Sequence, residues 1–228
     1  MSTTSTAVAS AAPSAETVAA RITAAGVMPA VRVATADQAF RAVEALAAGG
    51  IDVVEVTTNV PGVARVIEQL AARYEGRVMV GVGTVLDAET ARECVQAGAR
   101  FVVSPGFDPE TVAFARRHGV PAFPGALTPT EIVAAWRAGA TAVKVFPCDA
   151  LGGPRYLRAV RAPLPQVPLL PMGGVTLATA ADYLRAGAFA LGVGSDLVSA
   201  DLLAAGRDAE VTARARAYAA AVAEARAA

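Results

Sequence analysis

One unit repeats along most of this sequence: a short apolar run, then a turn, then an amphipathic segment rich in alanine. Eight such runs begin between 19 and 27 residues apart. Apolar runs of this length that alternate with helical stretches indicate β–α–β units, and hence a parallel sheet. The eight runs are VMPAVRV (27–33), IDVVEVT (51–57), VMVGV (78–82), FVVS (101–104), VPAFP (120–124), AVKVF (142–146), VPLLPM (167–172) and FALGV (189–193).

The segments between the runs carry start and stop signals of helices. Glycine precedes a run in AAGG (47–50), QAGA (96–99), RAGA (137–140) and RAGA (185–188), where a left-handed residue typically ends a helix. Thr128-Pro129-Thr130-Glu131 combines an N-cap, a proline and a glutamate at the spacing of a helix start. Eight β/α units predict an α/β protein with a single (β/α)8 TIM barrel, and a doubly wound open sheet is the alternative.

Both ends of the chain lie outside this repeat. Residues 1–14 are rich in Ser, Thr and Ala and lack the basic start and apolar core of a signal peptide, so we expect a disordered tail. Residues 15–228 are expected to form a single domain, with an extra N-terminal helix and a C-terminal helix over roughly 208–226. Two cysteines without a secretory signal predict a cytoplasmic location.

Composition argues against several classes of protein. The 20 basic and 20 acidic residues give a formal net charge of zero, which provides no electrostatic footprint for nucleic acid or an anionic membrane. No stretch reaches the ~18 consecutive apolar residues of a membrane span. One histidine, His118, and two distant cysteines, Cys94 and Cys148, do not suffice for a zinc site, so no metal is expected.

Charged residues inside the apolar runs point to chemistry, because a parallel strand is buried on both faces and a charge there is costly. Only Arg32, Asp52, Glu55 and Lys144 are charged within the eight runs. Asp52 lies at the start of its run, whereas the others lie in the middle or later part, toward the end where barrel enzymes hold catalytic groups. Alternation predicts that large aliphatic side chains face the helices and that Arg32, Glu55 and Lys144 face the barrel mouth.

Lys144 is the most informative of these residues, because it is the sole lysine among 20 basic residues. A guanidinium cannot serve as an amine nucleophile, whereas a lysine can form a Schiff base with a ketone. Burial disfavours the charged ammonium and lowers the pKa of catalytic lysines to about 7–8. The alternative is that GC-rich coding removed the other lysines and left this one by chance in a salt bridge.

Glu55 and Arg32 each have a functional and a structural interpretation. Glu55 is a candidate general base or acid beside a Schiff base, and Arg32 is a candidate for binding a substrate carboxylate or phosphate. Either residue can instead belong to a structural ion pair. Glycines in Met172-Gly173-Gly174 and in Gly192-Val193-Gly194-Ser195-Asp196 follow the last two runs, where this fold usually binds phosphate.

Seven short motifs occur in a fixed order: Glu55-Val56-Thr57, Gly81-Val82-Gly83-Thr84-Val85, Ser104-Pro105-Gly106, Pro124-Gly125, Lys144-Val145-Phe146-Pro147, Gly173-Gly174-Val175 and Gly194-Ser195. In this order they resemble the 2-keto-3-deoxy-6-phosphogluconate (KDPG) and 4-hydroxy-2-oxoglutarate (KHG) aldolases. These are class I aldolases on a (β/α)8 barrel. The resemblance covers roughly residues 20–205.

The resemblance implies a role for each matching residue. Lys144 would be the Schiff-base lysine and Glu55 the carboxylate that moves protons. It also implies a homotrimer that needs neither metal nor cofactor. Thr84, Pro105 and Phe146 would line the pyruvate end of the site, and Gly173, Gly174, Gly194 and Ser195 would hold the phosphate.

The chain departs from the family pattern where the substrate acid is recognised. Many gluconate-type members have Glu-Val-Thr-Leu-Arg, whereas the arginine position is Asn59 here. The 6-phosphogalactonate aldolases carry an arginine on strand 1, and this chain has Arg32 there, so we expect Arg32 to contact the anion. The family's Pro-Thr-Gly-Gly has Met172 in place of threonine.

The expected reaction is cleavage of KDPG to pyruvate and glyceraldehyde 3-phosphate, with cleavage of 4-hydroxy-2-oxoglutarate to pyruvate and glyoxylate as a further activity. A 2-keto-3-deoxy-6-phosphogalactonate aldolase is an alternative. Two rival classes also remain. One is a phosphate-binding barrel enzyme that forms no Schiff base, and the other is a non-catalytic barrel that acts as a binding or assembly protein.

Overall fold

The structure, a computed structural model, describes residues 13–227 and alternates strands with helices as the repeat predicts. Of the tail expected at residues 1–14, all but Pro13 and Ser14 lie outside the described residues. Ser14 caps the first helix, and its hydroxyl accepts a hydrogen bond from the backbone N–H of Thr17 at 3.2 Å. The last residue of the expected tail therefore belongs to the start of that helix.

The elements follow one another along the chain with short connections. The helices are α1 (Ala15–Ala25), α2 (Ala36–Ala48), α3 (Val63–Tyr74), α4 (Ala88–Gln96), α5 (Pro109–Arg117), α6 (Pro129–Arg137), α7 (Pro154–Arg161), α8 (Leu177–Arg185), α9 (Ala200–Ala204) and α10 (Asp208–Ala227). The strands are β1 (Val27–Val31), β2 (Val53–Thr57), β3 (Met79–Gly83), β4 (Val102–Val103), β5 (Ala122–Phe123), β6 (Gly125–Ala126), β7 (Val143–Val145), β8 (Leu169–Pro171) and β9 (Leu191–Val193). A short 3₁₀ turn spans Asp149–Leu151.

The strands pair in parallel and form a curled sheet. One part has the strand order β5-β4-β3-β2-β1-β9, and the other has the order β6-β7-β8. Only Pro124 separates β5 from β6, so one run of chain contributes to both parts. A parallel bridge between Met172 and Gly192 links the ends of β8 and β9. The architecture is therefore an α/β fold built on a curled parallel sheet.

Two predicted strands differ in detail from the expectation. The run VPAFP (120–124) continues into a second short strand after a break, because Pro124 has no N–H to donate to the ladder. Arg32, expected within the first strand, lies one residue beyond the end of β1 at Val31. The chain turns there toward Thr35, the N-cap of α2.

Side chains along the strands alternate between two apolar cores. Val143 and Val145 of β7 belong to the outer core beneath the helices, whereas Ala142 belongs to the inner core within the curled sheet. The predicted direction of the larger aliphatic residues is confirmed on this strand. Among the larger members of the inner core are Met28, Met79, Phe101, Phe123, Leu170 and Met172.

Helix α1 covers one end of the inner core. Its residues Val18 and Ile22 pack against that core. Arg21 of the same helix donates hydrogen bonds to Asp52 Oδ2 at 3.0 Å and to the carbonyl oxygen of Arg77 at 2.7 Å. Asp52 therefore lies beside α1, at the amino ends of the strands. This is the end of the sheet that its position at the start of an apolar run predicts.

The helices agree with their sequence signals. The hydroxyl of Thr128 accepts from the backbone N–H of Glu131, and the Glu131 carboxylate accepts from the Thr128 N–H, so the predicted capping box starts α6. The C-terminal helix α10 packs on α8 and α2 at the outside of the fold. Within residues 13–227, no helix is both long enough and apolar enough to cross a membrane.

Candidate active site

The predicted site residues gather toward the carboxyl ends of the strands. Glu55 is the central residue of β2, and Lys144 is the central residue of β7. Parallel strands point the same way, so the residues that follow them meet at one edge of the sheet. Arg32 follows β1, Thr84 follows β3, Pro105 follows β4, Phe146 follows β7, Gly173 and Gly174 follow β8, and Gly194 and Ser195 follow β9.

Lys144 is held in an apolar setting, with 2% of its surface exposed. Its Nζ lies 4.8 Å from the centre of the Phe146 ring. Burial lowers the pKa of Lys144 below its usual value, and the negative charge of Glu55 offsets this change only in part. The net direction favours the neutral amine, which is the nucleophilic form of lysine.

Glu55 is completely buried, and among residues 13–227 its two carboxylate oxygens are the only buried side-chain polar atoms without a hydrogen-bond partner. Burial raises the pKa of Glu55, while the positive charges of Lys144 and Arg32 act in the opposite direction. A buried polar group without a partner destabilises a fold, by about 1–3 kcal/mol in typical cases. The position of Glu55 is therefore better explained by chemistry than by stability.

Strand β3 leaves room for this carboxylate because it carries glycine. Glu55 is in register with Gly81 across the β2–β3 pair. A Cβ atom at Gly83 would overlap the Glu55 carboxylate, and a Cβ at Gly81 would overlap the ring of Phe101. Glycine at position 83 is thus required for the observed orientation of Glu55.

The structural alternative for the three charged residues was an ion pair. None of the seven ion pairs formed by the described residues includes Lys144, Glu55 or Arg32. Their charges nevertheless influence one another. The positive charge of Arg32 lowers the pKa of Lys144 and the pKa of Glu55 alike, so it favours a neutral amine beside an ionised carboxylate.

Arg32 reaches toward the loop after β3. Its Nη2 donates to the hydroxyl of Thr84 at 3.4 Å. Thr84 adopts a φ of 61°, which is a strained value for a β-branched residue. The hydroxyl of Thr58 donates to the Thr84 carbonyl oxygen at 2.8 Å and so helps to hold this conformation. Strained residues of this kind cluster at functional sites, which agrees with the predicted role of Thr84.

A cavity of about 560 Å³ opens beside these groups. It brings together six of the predicted site residues: Arg32, Phe146, Gly173, Gly174, Gly194 and Ser195. Gly173 and Gly174 have φ values of 87° and 68°, so the loop after β8 adopts a backbone that favours glycine. The remaining wall is formed by Ala30, Met172, Val175, Thr176, Asp196, Ser199 and Arg214.

Four predicted residues lie outside the lining of this cavity. Lys144 and Glu55 are buried and Lys144 lies against Phe146, which does line it. Thr84 is linked to the cavity through Arg32. Pro105 lines a separate depression of about 250 Å³, and Phe146 borders both spaces.

The cavity also contains charged residues for which the sequence analysis assigned no role. Asp196 follows Ser195, and its Oδ2 accepts hydrogen bonds from the Leu177 N–H at 3.1 Å and the Tyr218 hydroxyl at 2.5 Å. Arg214 reaches the cavity from α10. It lies 70 residues after Lys144 in the sequence and belongs to none of the seven motifs. No local signal marks Arg214, because only the packing of α10 brings it there.

Metal binding has no obvious site in the part of the chain that the structure describes. No group of three or more His, Cys, Asp or Glu residues is arranged to hold an ion there. Cys94 and Cys148 are both buried, and burial raises the pKa of each thiol to about 11. Both thiols therefore stay protonated near neutral pH and are poor nucleophiles.

Comparison with known proteins shows which family this chain is similar to. The family model "KDPG and KHG aldolase" matches residues 18–214. The 2-dehydro-3-deoxy-phosphogluconate aldolase of Treponema pallidum (strain Nichols) is 40% identical over 188 residues, which cover 82% of this chain and 89% of that protein. The 2-dehydro-3-deoxy-6-phosphogalactonate aldolase of Escherichia coli (strain K12) is 35% identical over 167 residues, covering 73% and 81%.

Solved structures also match this chain in fold. A KDPG aldolase from Legionella pneumophila, with pyruvate captured as a covalent carbinolamine, has a TM-score of 0.81 and 30% identity, covering 87% of this chain and 96% of that one. A cage designed by fusing symmetric oligomeric domains has a TM-score of 0.81 and 34% identity, covering 89% and 73%. The matching family and the named relatives are aldolases, so the chain is of the carbon–carbon lyase class. The chain belongs to the KDPG and KHG aldolase family.

The electrostatics of Lys144 lead to a first prediction. Acetylation of Lys144 by acetic anhydride, followed by peptide mass spectrometry, should show a pH midpoint below 10.5, the usual lysine pKa, because burial favours the neutral amine. Arg32→Ala should move that midpoint to higher pH, because it removes a positive charge that lowers the pKa of Lys144.

Arg65→Ala is the matched control, since Arg65 is exposed on α3 and its removal should leave the midpoint unchanged. A midpoint near 10.5 in the parent protein, or a downward change in Arg32→Ala, would contradict this description of the site.

Proposed function

We propose that this protein is a class I aldolase that cleaves KDPG to pyruvate and glyceraldehyde 3-phosphate, and 4-hydroxy-2-oxoglutarate to pyruvate and glyoxylate. The observation that carries the proposal is the pairing of the sole lysine, buried and biased toward its neutral form, with a buried carboxylate that has no hydrogen-bond partner in residues 13–227. Lys144 and Glu55 have the two functions that a Schiff-base aldolase needs, a nucleophile and a proton carrier.

The first half of the mechanism builds a Schiff base. The neutral Nζ of Lys144 attacks the C2 carbonyl carbon of the substrate and forms a carbinolamine. Glu55 donates a proton to the departing hydroxyl, water leaves, and a protonated imine remains. This cation accepts electrons from the neighbouring carbon, so one difficult carbanion step is divided into easier ones.

The second half breaks the carbon–carbon bond. Ionised Glu55 removes the proton of the C4 hydroxyl, the C3–C4 bond breaks, and its electron pair moves to the imine to form an enamine. The aldehyde leaves. Glu55 returns this proton to C3, and water hydrolyses the protonated imine to pyruvate and free Lys144. The proton that hydrolysis releases goes back to Glu55, which regains the acid form that the first half of the mechanism uses. Proton transfer by a positioned carboxylate typically accelerates a reaction by ~10²–10⁴-fold.

The remaining site residues bind the two ends of the substrate. Arg32 binds the carboxylate, and its positive charge adds to the lowering of the Lys144 pKa that burial causes. Thr84, Pro105 and Phe146 line the pyruvate end of the site. Gly173, Gly174, Gly194 and Ser195 contribute to binding of the phosphate, which is supported by their common position on one cavity. The mechanism uses neither a metal nor a cofactor.

A 2-keto-3-deoxy-6-phosphogalactonate substrate is a second candidate. It is favoured by Arg32, which lines the cavity, and by Asn59, which occupies the family's arginine position and is exposed. The relative of that name in Escherichia coli is 35% identical. These two phosphorylated acids differ only in stereochemistry, so the same Schiff base serves both.

The proposal extends to the whole chain. Residues 15–228 form one aldolase domain, and the eight β/α units close into a complete (β/α)8 barrel. The continuity of β5 with β6 and the bridge between Met172 and Gly192 support closure. The protein assembles as a cytoplasmic homotrimer, supported by the family resemblance and by the oligomeric domains in the name of one structural neighbour.

Borohydride trapping tests the Schiff base. Pyruvate followed by sodium borohydride should reduce the imine and leave one 1-carboxyethyl group on Lys144, as measured by mass spectrometry of the intact protein and its peptides. The adduct should vanish in Lys144→Arg, which keeps the positive charge but lacks the amine nucleophile.

Because Lys144 is the sole lysine, the only other amine is the chain terminus, which peptide mapping separates. Normal turnover by Lys144→Arg would overturn the Schiff-base mechanism and favour a non-covalent barrel enzyme, and absence of any turnover in the parent protein would favour a binding role.

A substrate panel tests the proposed specificity. Pyruvate release from KDPG, from its galactonate epimer and from 4-hydroxy-2-oxoglutarate can be followed with lactate dehydrogenase as the coupling enzyme. We expect the highest kcat/KM with KDPG. A higher value with the galactonate epimer would assign the second candidate, and equal activity with all three would contradict recognition of the phosphorylated acid.

Substitutions at the acid-binding end test Arg32. Arg32→Ala should raise KM for the keto acid by about 10- to 100-fold, because a hydrogen bond to a charged group is typically worth about 1.5–3 kcal/mol. Asn59→Ala should change KM by less than about twofold, because Asn59 is exposed and outside the cavity lining. Equal small effects of the two substitutions would exclude the proposed role of Arg32.

A further inference from the structure

The C-terminal helix reaches the cavity through a single side chain. Of the residues of α10, only Arg214 lines the cavity of about 560 Å³. Its Nη1 donates to the carbonyl oxygen of Asp196 at 2.8 Å and approaches that of Ser195 at 3.5 Å. The guanidinium is therefore held against the loop that follows β9, beside Gly194.

Much of the hydrogen-bonding capacity of Arg214 is unused. A guanidinium has five N–H donors, and only those on Nη1 have an acceptor within residues 13–227. None of the seven ion pairs among the described residues includes Arg214. The Nε and Nη2 groups thus remain available, and the planar fork of a guanidinium matches the oxygens of a phosphate.

Asp196, the nearest carboxylate, already has other partners. Its Oδ2 accepts from the backbone N–H of Leu177 at 3.1 Å and from the hydroxyl of Tyr218 at 2.5 Å. These bonds connect the loop after β9 to the start of α8 and to α10. These bonds orient the loop. Arg214 contacts the backbone carbonyl oxygen of Asp196 rather than its carboxylate.

The two cations of the cavity contact different loops. The cavity lining contains two arginines, Arg32 and Arg214, and one acidic residue, Asp196. Arg32 bonds to Thr84 after β3, whereas Arg214 bonds to the loop after β9. The strand order β3-β2-β1-β9 puts three strand spacings of about 4.8 Å between those loops along the sheet. A substrate with a carboxylate at one end and a phosphate at the other matches two separated cations.

We propose that Arg214 binds the phosphate of the substrate and so supplies the cationic group of the phosphate end. This inference rests on the proposed function and adds a residue from outside the β/α units to it. The glycine loops provide backbone N–H groups, and Arg214 offsets the negative charge of Asp196, which would otherwise oppose an incoming phosphate.

Arg214→Ala tests the role with a matched pair of substrates. KM for KDPG should rise by about 10- to 100-fold, the typical range for a charge-assisted hydrogen bond. KM for the phosphate-free analogue 2-keto-3-deoxygluconate should change by less than about twofold, since the missing phosphate leaves Arg214 nothing to bind. Arg216→Ala, which removes an exposed arginine of the same helix, should leave both values unchanged.

Arg214→Gln separates phosphate binding from support of the loop. Glutamine keeps an N–H donor for the carbonyl oxygens of Ser195 and Asp196 but has no charge. If Arg214 binds phosphate, Arg214→Gln should lose nearly as much affinity for KDPG as Arg214→Ala. Recovery of the parent KM by Arg214→Gln, or an equal rise of KM for both substrates in Arg214→Ala, would overturn the proposal.

A binding measurement keeps the inference testable if the protein proves not to be an aldolase. Inorganic phosphate should raise the thermal midpoint of the parent protein and of Arg216→Ala, but not that of Arg214→Ala. This result would support phosphate binding even if no borohydride adduct forms and no pyruvate is released. Equal protection of the parent protein and Arg214→Ala by phosphate would refute the role of Arg214.

Discussion

Lys144 and Glu55 are both buried inside the curled sheet, where neither charge can be solvated and each influences the pKa of the other. Burial moves both groups toward their neutral forms. The positive charge of Arg32, at the edge of the cavity, lowers the pKa of both groups. For Lys144 this favours the neutral amine, and for Glu55 it favours the ionised carboxylate. The charge of Arg32 therefore favours the protonation states that the proposed nucleophile and the proposed base require.

The two halves of the site have different physical requirements. The proposed reacting groups, Glu55 and Lys144, belong to strands β2 and β7, each of which pairs with a neighbouring strand on both sides. The groups that would recognise the substrate lie on loops after the strands, with glycine at positive φ in the loop after β8. A chain with zero net charge has no general attraction for an anion, so in the proposed function recognition of the substrate is assigned to local groups such as Arg32 and Arg214.

Much of this arrangement was predictable from local pattern. The eight runs predicted the strands, alternation predicted the directions of Val143 and Val145, and the motif at Thr128 predicted a helix start. The break at Pro124 and the end of β1 before Arg32 were missed, because strand ends depend on hydrogen bonds to neighbouring strands. Arg214 was missed altogether, since a basic residue on an amphipathic helix carries no signal of what the helix packs against.

The amino-acid sequence by itself determined the chemistry that is possible here: one lysine, an acidic residue within an apolar run, and glycine pairs after the last two strands, in an order that resembles a known family. Periodicity suffices for this, because the alternation of strand and helix is a local property. Only the tertiary structure decided that the Glu55 carboxylate has no hydrogen-bond partner among residues 13–227, that Pro105 lies apart from the main cavity, and that α10 contributes to that cavity. These facts depend on which distant segments of the chain pack together, and no single stretch of sequence determines that packing.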